Sequence, residues 1–295
     1  MAWAGQTWIE LFKETSYGVF TGAGATAFPR LYGGNSFTAR IVPARQIIRT
    51  ADAGNRRIQV LANRLVIVGT LKTLLYPTQA AYWITAATTL TSNQLGSYSI
   101  EYYDSTRVQR YLGGMVHSLR IMSSAQQDYV SMEIDWILQS LDATFTVFAQ
   151  PAQSSYPTEN PYQHVNTAGN ITLGGTPVTK YKDFNVTINN VLQPTWDETT
   201  TISACYYSGR DLNFTMTPQY TAATFRQNYE AQTPLTWVAG WANAVPKSVT
   251  ITGEASGYIG GINDDLPLDG PGYQGLQNEI FFDKTAATDF TIAVV

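Results

Sequence analysis

The chain has 295 residues and a formal net charge of −4, with 18 Lys and Arg against 22 Asp and Glu, so it lacks the basic footprint that tight nucleic-acid binding requires. Its single cysteine, Cys205, excludes an internal disulfide framework and a cysteine-based zinc site. Charged residues at 14% and aromatics at 13%, with 18 Tyr and 7 Trp, indicate a β-rich or heavily interfacial protein long enough for one large or two ordinary domains.

Residues 1–34 are rich in Gly, Thr and aromatics (TGAGATAFPRLYGGN) and read as an N-terminal arm that orders by packing on something else. Its opening has neither the basic start nor the apolar core of a secretory leader, and no apolar run in the chain reaches the length of a membrane span. The expectation is a protein that stays where it is made and does not enter a membrane. A first unit, 35–141, begins with strand SFTARIVP, a long polar connection ARQIIRTADAGN and strand RIQVLA. The spacing of large side chains then predicts a helix over 65–76 (LVIVGTLKTLLY), followed by strands AYWITAATT, SYSIEYYD, GMVHSLRIMS and DYVSMEIDWIL.

Residues 142–180 concentrate Pro, Ser, Asn and Gly and read as a linker or crossing segment. A second unit, 181–295, opens with strand DFNVTINNV, a connection LQPTWDETTTISACYYSG and strand DLNFTMTP. A helix is predicted over 219–232, then strands LTWVAGWAN and KSVTITGEASGYIG, a Gly/Pro/Asp loop, and strands LQNEIFFD and TDFTIAVV. The halves share a spacing of 154 positions, from Ile58 to Leu212 and from Trp83 to Trp237. That spacing predicts two copies of one fold, each with its helix in the same place.

Chemistry finds little support. The two histidines, His117 and His164, fall in a predicted strand and in the linker, no G-x-S-x-G nucleophile turn occurs, and the Gly-rich stretches TGAGATA and LGGM lack the following Lys-Ser/Thr or helix start of a phosphate loop. Asp264, Asp265 and Asp269 lack the ligand ladder of a calcium loop and read as a solvated turn. Cys205 reads as a small packing residue, and Trp83, Trp237 and Trp241 read as core. The Asn-x-Thr sequons at Asn170, Asn185 and Asn213 reflect strand Thr usage. The chain reads as no enzyme, with no cofactor and no metal.

The order of these phrases resembles that of the tail tube proteins of long-tailed bacteriophages. FKETSYGVF resembles their opening, RIQVLANRLVIVGTLKTLL their strand-then-helix signature, and SYSIEYYDSTRVQRYLGGMVHSLRIMS the strand passage that follows. DFNVTINNVLQP resembles the entry to the second half, while the late Gly-rich loop, LQNEIFFD and TDFTIAVV resemble its close. The resemblance implies a mainly β fold of two tandem β-sandwich or barrel units, each with one flanking helix. Subunits would form rings around a continuous inner β-barrel and stack into a virion tail tube through which genome DNA enters a bacterial host.

The resemblance implies rings closed by six tube units, so two units per chain imply a trimeric ring with pseudo-sixfold symmetry. The other partners implied are the tape measure, tail terminator and distal tail proteins, with DNA passing unbound through the lumen and assembly starting from the host cytoplasm. Candidate lumen-facing residues are Arg40, Arg57, Gln59, Asn185, Asp211 and Asn213. Candidate inter-ring contacts are Ile47, Ile48 and Trp196, on the connections 43–56 and 192–209, which are expected, with the arm, to order on assembly. The alternatives are a two-domain carbohydrate-binding adhesin that displays its aromatics, and a different tail component such as a distal tail or decoration protein.

Overall fold

The computed structural model describes residues 8–22, 27, 37–49, 57–103, 107–147, 157–164, 171–219, 224–242, 248–265, 273–280 and 290–294, with backbone alone at 43–49, 57–63, 249, 254–258, 264–265, 274, 277–280, 290–292 and 294. The first half contains β1 (Trp8–Lys13), β2 (Phe37–Arg49), β3 (Arg57–Leu74), α1 (Pro77–Thr88), β4 (Leu90–Thr91), β5 (Gln94–Leu95), β6 (Tyr98–Tyr103), β7 (Val108–Ser124), β8 (Ser131–Leu138) and β9 (Ser140–Leu141). Then follow β10 (Ile171–Leu173), β11 (Thr176–Pro177), β12 (Tyr181–Thr195), β13 (Ala204–Pro218), α2 (Thr224–Glu230), β14 (Leu235–Ala242), β15 (Ser248–Asp265), β16 (Tyr273–Ile280) and β17 (Phe290–Val294).

Two expected elements exchange places. Residues 65–74 are strand, not helix: Ile67, Gly69 and Leu71 are buried while Val68, Thr70 and Lys72 face the other way, which is period two and suits a β-branched run. The helix is α1, where a strand was expected. Pro77 sits at its first turn, and Ala80, Trp83, Ile84 and Ala87 form the buried stripe, an i, i+3, i+4, i+7 pattern. Trp83 therefore lies on a helix and Trp237 on a strand, so the 154-residue spacing is not a structural register. The second helix is shorter than expected, with seven residues. Residues 220–223 lie outside the described set.

Of the two long connections, 43–49 in the first and 192–195 and 204–209 in the second are strand. β2 runs on to Arg49, pairing Ile47 with Val60 and Ile48 with Gln59, because a hairpin satisfies the backbone of a polar segment that cannot make a core. The second connection closes in the same way, with Thr195 opposite Ala204, leaving a hairpin tip of 196–203. Within the predicted arm, β1 is a core strand: it pairs antiparallel with β6 and its Ile9 and Leu11 are buried in the main core. Within the predicted linker, β10 pairs with β14. Residues 50–56 and Asp269 lie outside the described set.

Antiparallel pairing links the strands in one path, β11-β10-β14-β15-β16-β13-β12-β7-β8-β3-β2, with β6 carried by β7 and β1 by β6. Two long strands change partners along their length. β7 pairs with β6 through Gly114, then with β8 from Met115 and with β12 from Ser118. The turn in its path falls at Gly113, whose φ of 63° suits glycine, and whose Cβ, if present, would meet the Gln139 side chain at 2.6 Å. β15 likewise pairs with β14 through Gly257 and with β16 from Tyr258. The core lies on one face of this path, from Leu119, Ile121, Ile134 and Trp136 across Phe184, Val186, Ile188, Leu212 and Phe214 to Trp237 and Trp241.

Candidate functional surface

The opposite face of the central sheet is where the candidate lumen residues collect. Alternation along each strand puts one side chain into the core and the next onto this face. On β12 the core-facing set is Phe184, Val186, Ile188 and Asn190, and the other side carries Asp183, Asn185 and Asn189, half-buried, with Thr187 buried between its neighbours. On β13 the open set is Asp211, Asn213, Thr215 and Thr217. Register brings Asn185 opposite Thr215, Thr187 opposite Asn213, and Asn189 opposite Asp211. Arg40 on β2 lies opposite Val68 of β3 and is exposed. The fold thus gathers Arg40, Asn185, Asp211 and Asn213 on one face. Arg57 and Gln59 belong to the part of β3 that pairs with β2 beyond the end of β8, and their side chains are outside the described set.

The same face carries residues that the sequence reading did not select: Thr70 and Lys72 on β3, Glu133 and Asp135 on β8, and Ser118 and Arg120 on β7. Thr70 and Lys72 escape a helix reading of 65–76, where the alternation Val68-Thr70-Lys72 is the signal, whereas Ser118, Arg120, Glu133 and Asp135 lie on strands that alternation already marks. Short hydrogen bonds tie the face together. Asp135 accepts from Thr70 Oγ1 at 2.7 Å and from Ser118 Oγ at 2.8 Å, and Asp183 accepts from Thr217 Oγ1 at 2.6 Å. Lys72 and Glu133 approach to 3.7 Å. The result is a hydroxyl- and amide-rich surface on which acidic groups offset basic ones.

Trp196 packs within the chain. Its indole donates to Leu65 O at 3.3 Å, Arg64 lies over its ring, and Leu65 N donates to Thr200 O at 2.9 Å. The hairpin tip thereby closes a second small core of Leu95, Met115, Ile202 and Cys205. Burial there pushes the Cys205 thiol up to about 11, which keeps it protonated and inert. The histidines are apart in role: His117 Nδ1 lies 3.0 Å from Asn190 O, and His164 Nδ1 lies 2.7 Å from Ser123 Oγ, with burial lowering its pKa. Among the described residues, no three His, Cys, Asp or Glu side chains converge as metal ligands. The backbone of Asp264 and Asp265 is strand β15 and not a turn.

A wide polar sheet face backed by an aromatic core defines a mainly β protein. The chain matches the family described as Phage tail tube protein over residues 11–279, and it belongs to that family. It is a structural, non-enzymatic component of the virion tail. No curated protein matches the chain.

Proposed function

We propose that this chain is the major tail tube subunit, built of two tandem tube units, and that three copies close a pseudo-sixfold ring whose stacked lumen conducts DNA during ejection. The observation that carries this reading is a strand order that occurs twice. In the first half the pairing runs β1-β6-β7-β8-β3-β2, and in the second β10-β14-β15-β16-β13-β12. Corresponding strands also come in the same chain order, with α1 and α2 each following the long hairpin. On this reading β1 belongs to the first unit and β10 to the second, so the units extend into the arm 1–34 and the segment 142–180.

The open face of β2, β3, β8, β7, β12, β13 and β16 is the proposed lumen wall, with Arg40, Asn185, Asp211 and Asn213 among its groups and Arg57 and Gln59 on its hairpin extension. A wall without a continuous basic stripe suits DNA that must slide, since each phosphate contact adds a salt-dependent brake. Ile47, Ile48 and the remaining exposed surface of Trp196 are proposed inter-ring contacts, and tape measure, tail terminator and distal tail proteins the partners along and at the ends of the tube. Cryo-electron microscopy of assembled tubes tests the reading: three chains per ring with this face inward is the expected result, and six chains per ring, or this face outward, would overturn it.

A further inference from the structure

We infer that neighbouring copies join by adding the β2 edge of one chain to the β15 edge of the next, in a register set by the junction already present inside the chain. The inference rests on the tube reading above and deepens it to named residue pairs. Inside the chain, the two strand series meet where β12 pairs antiparallel with the second part of β7, from Asp183 opposite Ser124 to Asn189 opposite Ser118. β12 opens the hairpin of the second series as β2 opens that of the first. β15 changes partners in the second series as β7 does in the first. The chain therefore contains one complete joint and the two separate halves of another.

Those halves are sheet edges. Among the described residues, β2 pairs only with β3, and β15 from Ile259 to Asp265 pairs only with β16. Unpaired edges of this length invite another strand. Irregularities align the two series to the residue. The β12 hairpin shifts register between Val191 and Leu192, and the β2 hairpin between Ala44 and Arg45; Phe184 and Phe37, seven positions before, each sit in the core. β7 shifts against β8 between Val116 and Ser118, and β15 shifts against β16 between Ile259 and Gly261. Ser118 thus answers Gly261, and Asn189 answers Val42.

Carrying the internal joint across places Val42 of one copy opposite Gly261 of the next, Ile41 opposite Ile262, Arg40 opposite Asn263, and the backbones of Ala39 and Thr38 opposite Asp264 and Asp265. The side chains agree with this placement. Ile188, the counterpart of Ile41, is 1% exposed in the internal joint, whereas Ile41 is 57% exposed in the single chain. Phe37 and Ala39 on the same side of β2 reach the core, so Ile41 is a core residue awaiting cover. Ile262 already packs against the core, as does Leu119, its counterpart. On the other face Arg40 meets Asn263 where the internal joint sets Thr187 against Arg120, keeping the wall polar. Because the two edges differ, the contact is head-to-tail, the kind that makes a ring when the rotation between copies closes.

Cysteine pairs read the register directly. Opposed residues of antiparallel strands lie about 4.5–5.5 Å apart, within reach of a disulfide, and residues offset by two lie about 7–8 Å apart, beyond it. In the full chain under mild oxidation, Arg40→Cys with Asn263→Cys is expected to link copies covalently within tubes seen by negative-stain microscopy. The shifted pair Arg40→Cys with Gly261→Cys, and the parent chain with Cys205 alone, are expected not to link. Ile41→Lys is expected to keep the circular dichroism spectrum and melting temperature of the free subunit while abolishing rings. Tubes with linking only in the shifted pair or in neither pair, or normal tubes from Ile41→Lys, would overturn the seam and leave the tube reading standing. A parent chain that forms neither rings nor tubes at any concentration would overturn both.

Discussion

Buried amides persist where their donors meet acceptors, and Asn190 meets two. Fully buried, it donates to Ala87 O at 2.9 Å and to Val116 O at 3.0 Å, tying the end of α1 to β7 and β12. Asn190→Ala strands both carbonyls and should cost about 1–3 kcal/mol, measured as a lower urea midpoint at unchanged m; an unchanged midpoint would refute the role. Glu10 makes a second prediction. It pairs opposite Glu101, which pairs opposite Arg110, and burial, with the Glu101 charge adding to it, raises its carboxyl from 4.5 to about 7. The folded chain thus holds this proton more tightly than the unfolded chain, so the contribution is fully present below about pH 4.5 and is lost as pH rises through about 7. Between about pH 5 and 8 the wild-type chain should lose thermal stability relative to Glu10→Gln. Parallel melting curves across that range would sink the assignment.

At the scale of elements, the sequence was legible where one face was buried and the other wet. β8, β12, β13 and β14 fall where alternation put them, and the aromatic core follows, with Phe214 and Trp237 stacked 4.6 Å apart. The exchange of strand and helix between 65–74 and 77–88 came from residues that fit either template: Leu, Val and Thr at near-helical spacing in the first, and a Tyr-Trp-Ile-Thr run in the second. Burial from both neighbours of β3 decided the first case, and Pro77 with the alanine stripe decided the second. The hairpin arms carry an element-scale prediction. Beyond Ala44 the β2–β3 hairpin pairs only with itself among the described residues, so Ile47→Ser with Ile48→Ser should leave the subunit folded by circular dichroism yet reduce stacking into long tubes. Tubes of normal length and stability from the double variant would exclude these residues from the ring-to-ring contact.

For the molecule as a whole, the balance of charge on the open sheet face is the testable property. Asn185→Lys with Asn213→Lys adds two positive charges per chain at positions that do not touch the core, and a ring multiplies them. Assembly should be unchanged, while DNA release from reconstituted particles should slow and become more strongly dependent on salt, because cations that contact phosphate release counterions. Release at the wild-type rate across salt concentrations would show that this face does not line the path. That Asn185, Asp211 and Asn213 share one side of the sheet was legible for the same reason as the core: alternation assigns a side.

The sequence by itself determined the strand-rich class, the absence of a basic footprint, the polar and apolar sides of β12 and β13, and the family resemblance carried by ordered phrases along the chain. These are local or additive properties, visible in composition and in period-two patterning. Tertiary structure decided the rest. It showed β1 and β10 to be core strands, put a helix after Pro77, drew the polar connections into hairpins, and gave β7 and β15 two partners each. Such outcomes depend on which strand lies beside which, and pairing between residues as far apart as Trp8 and Tyr103 is set by burial and backbone hydrogen bonding across the whole sheet, which no short window of sequence contains.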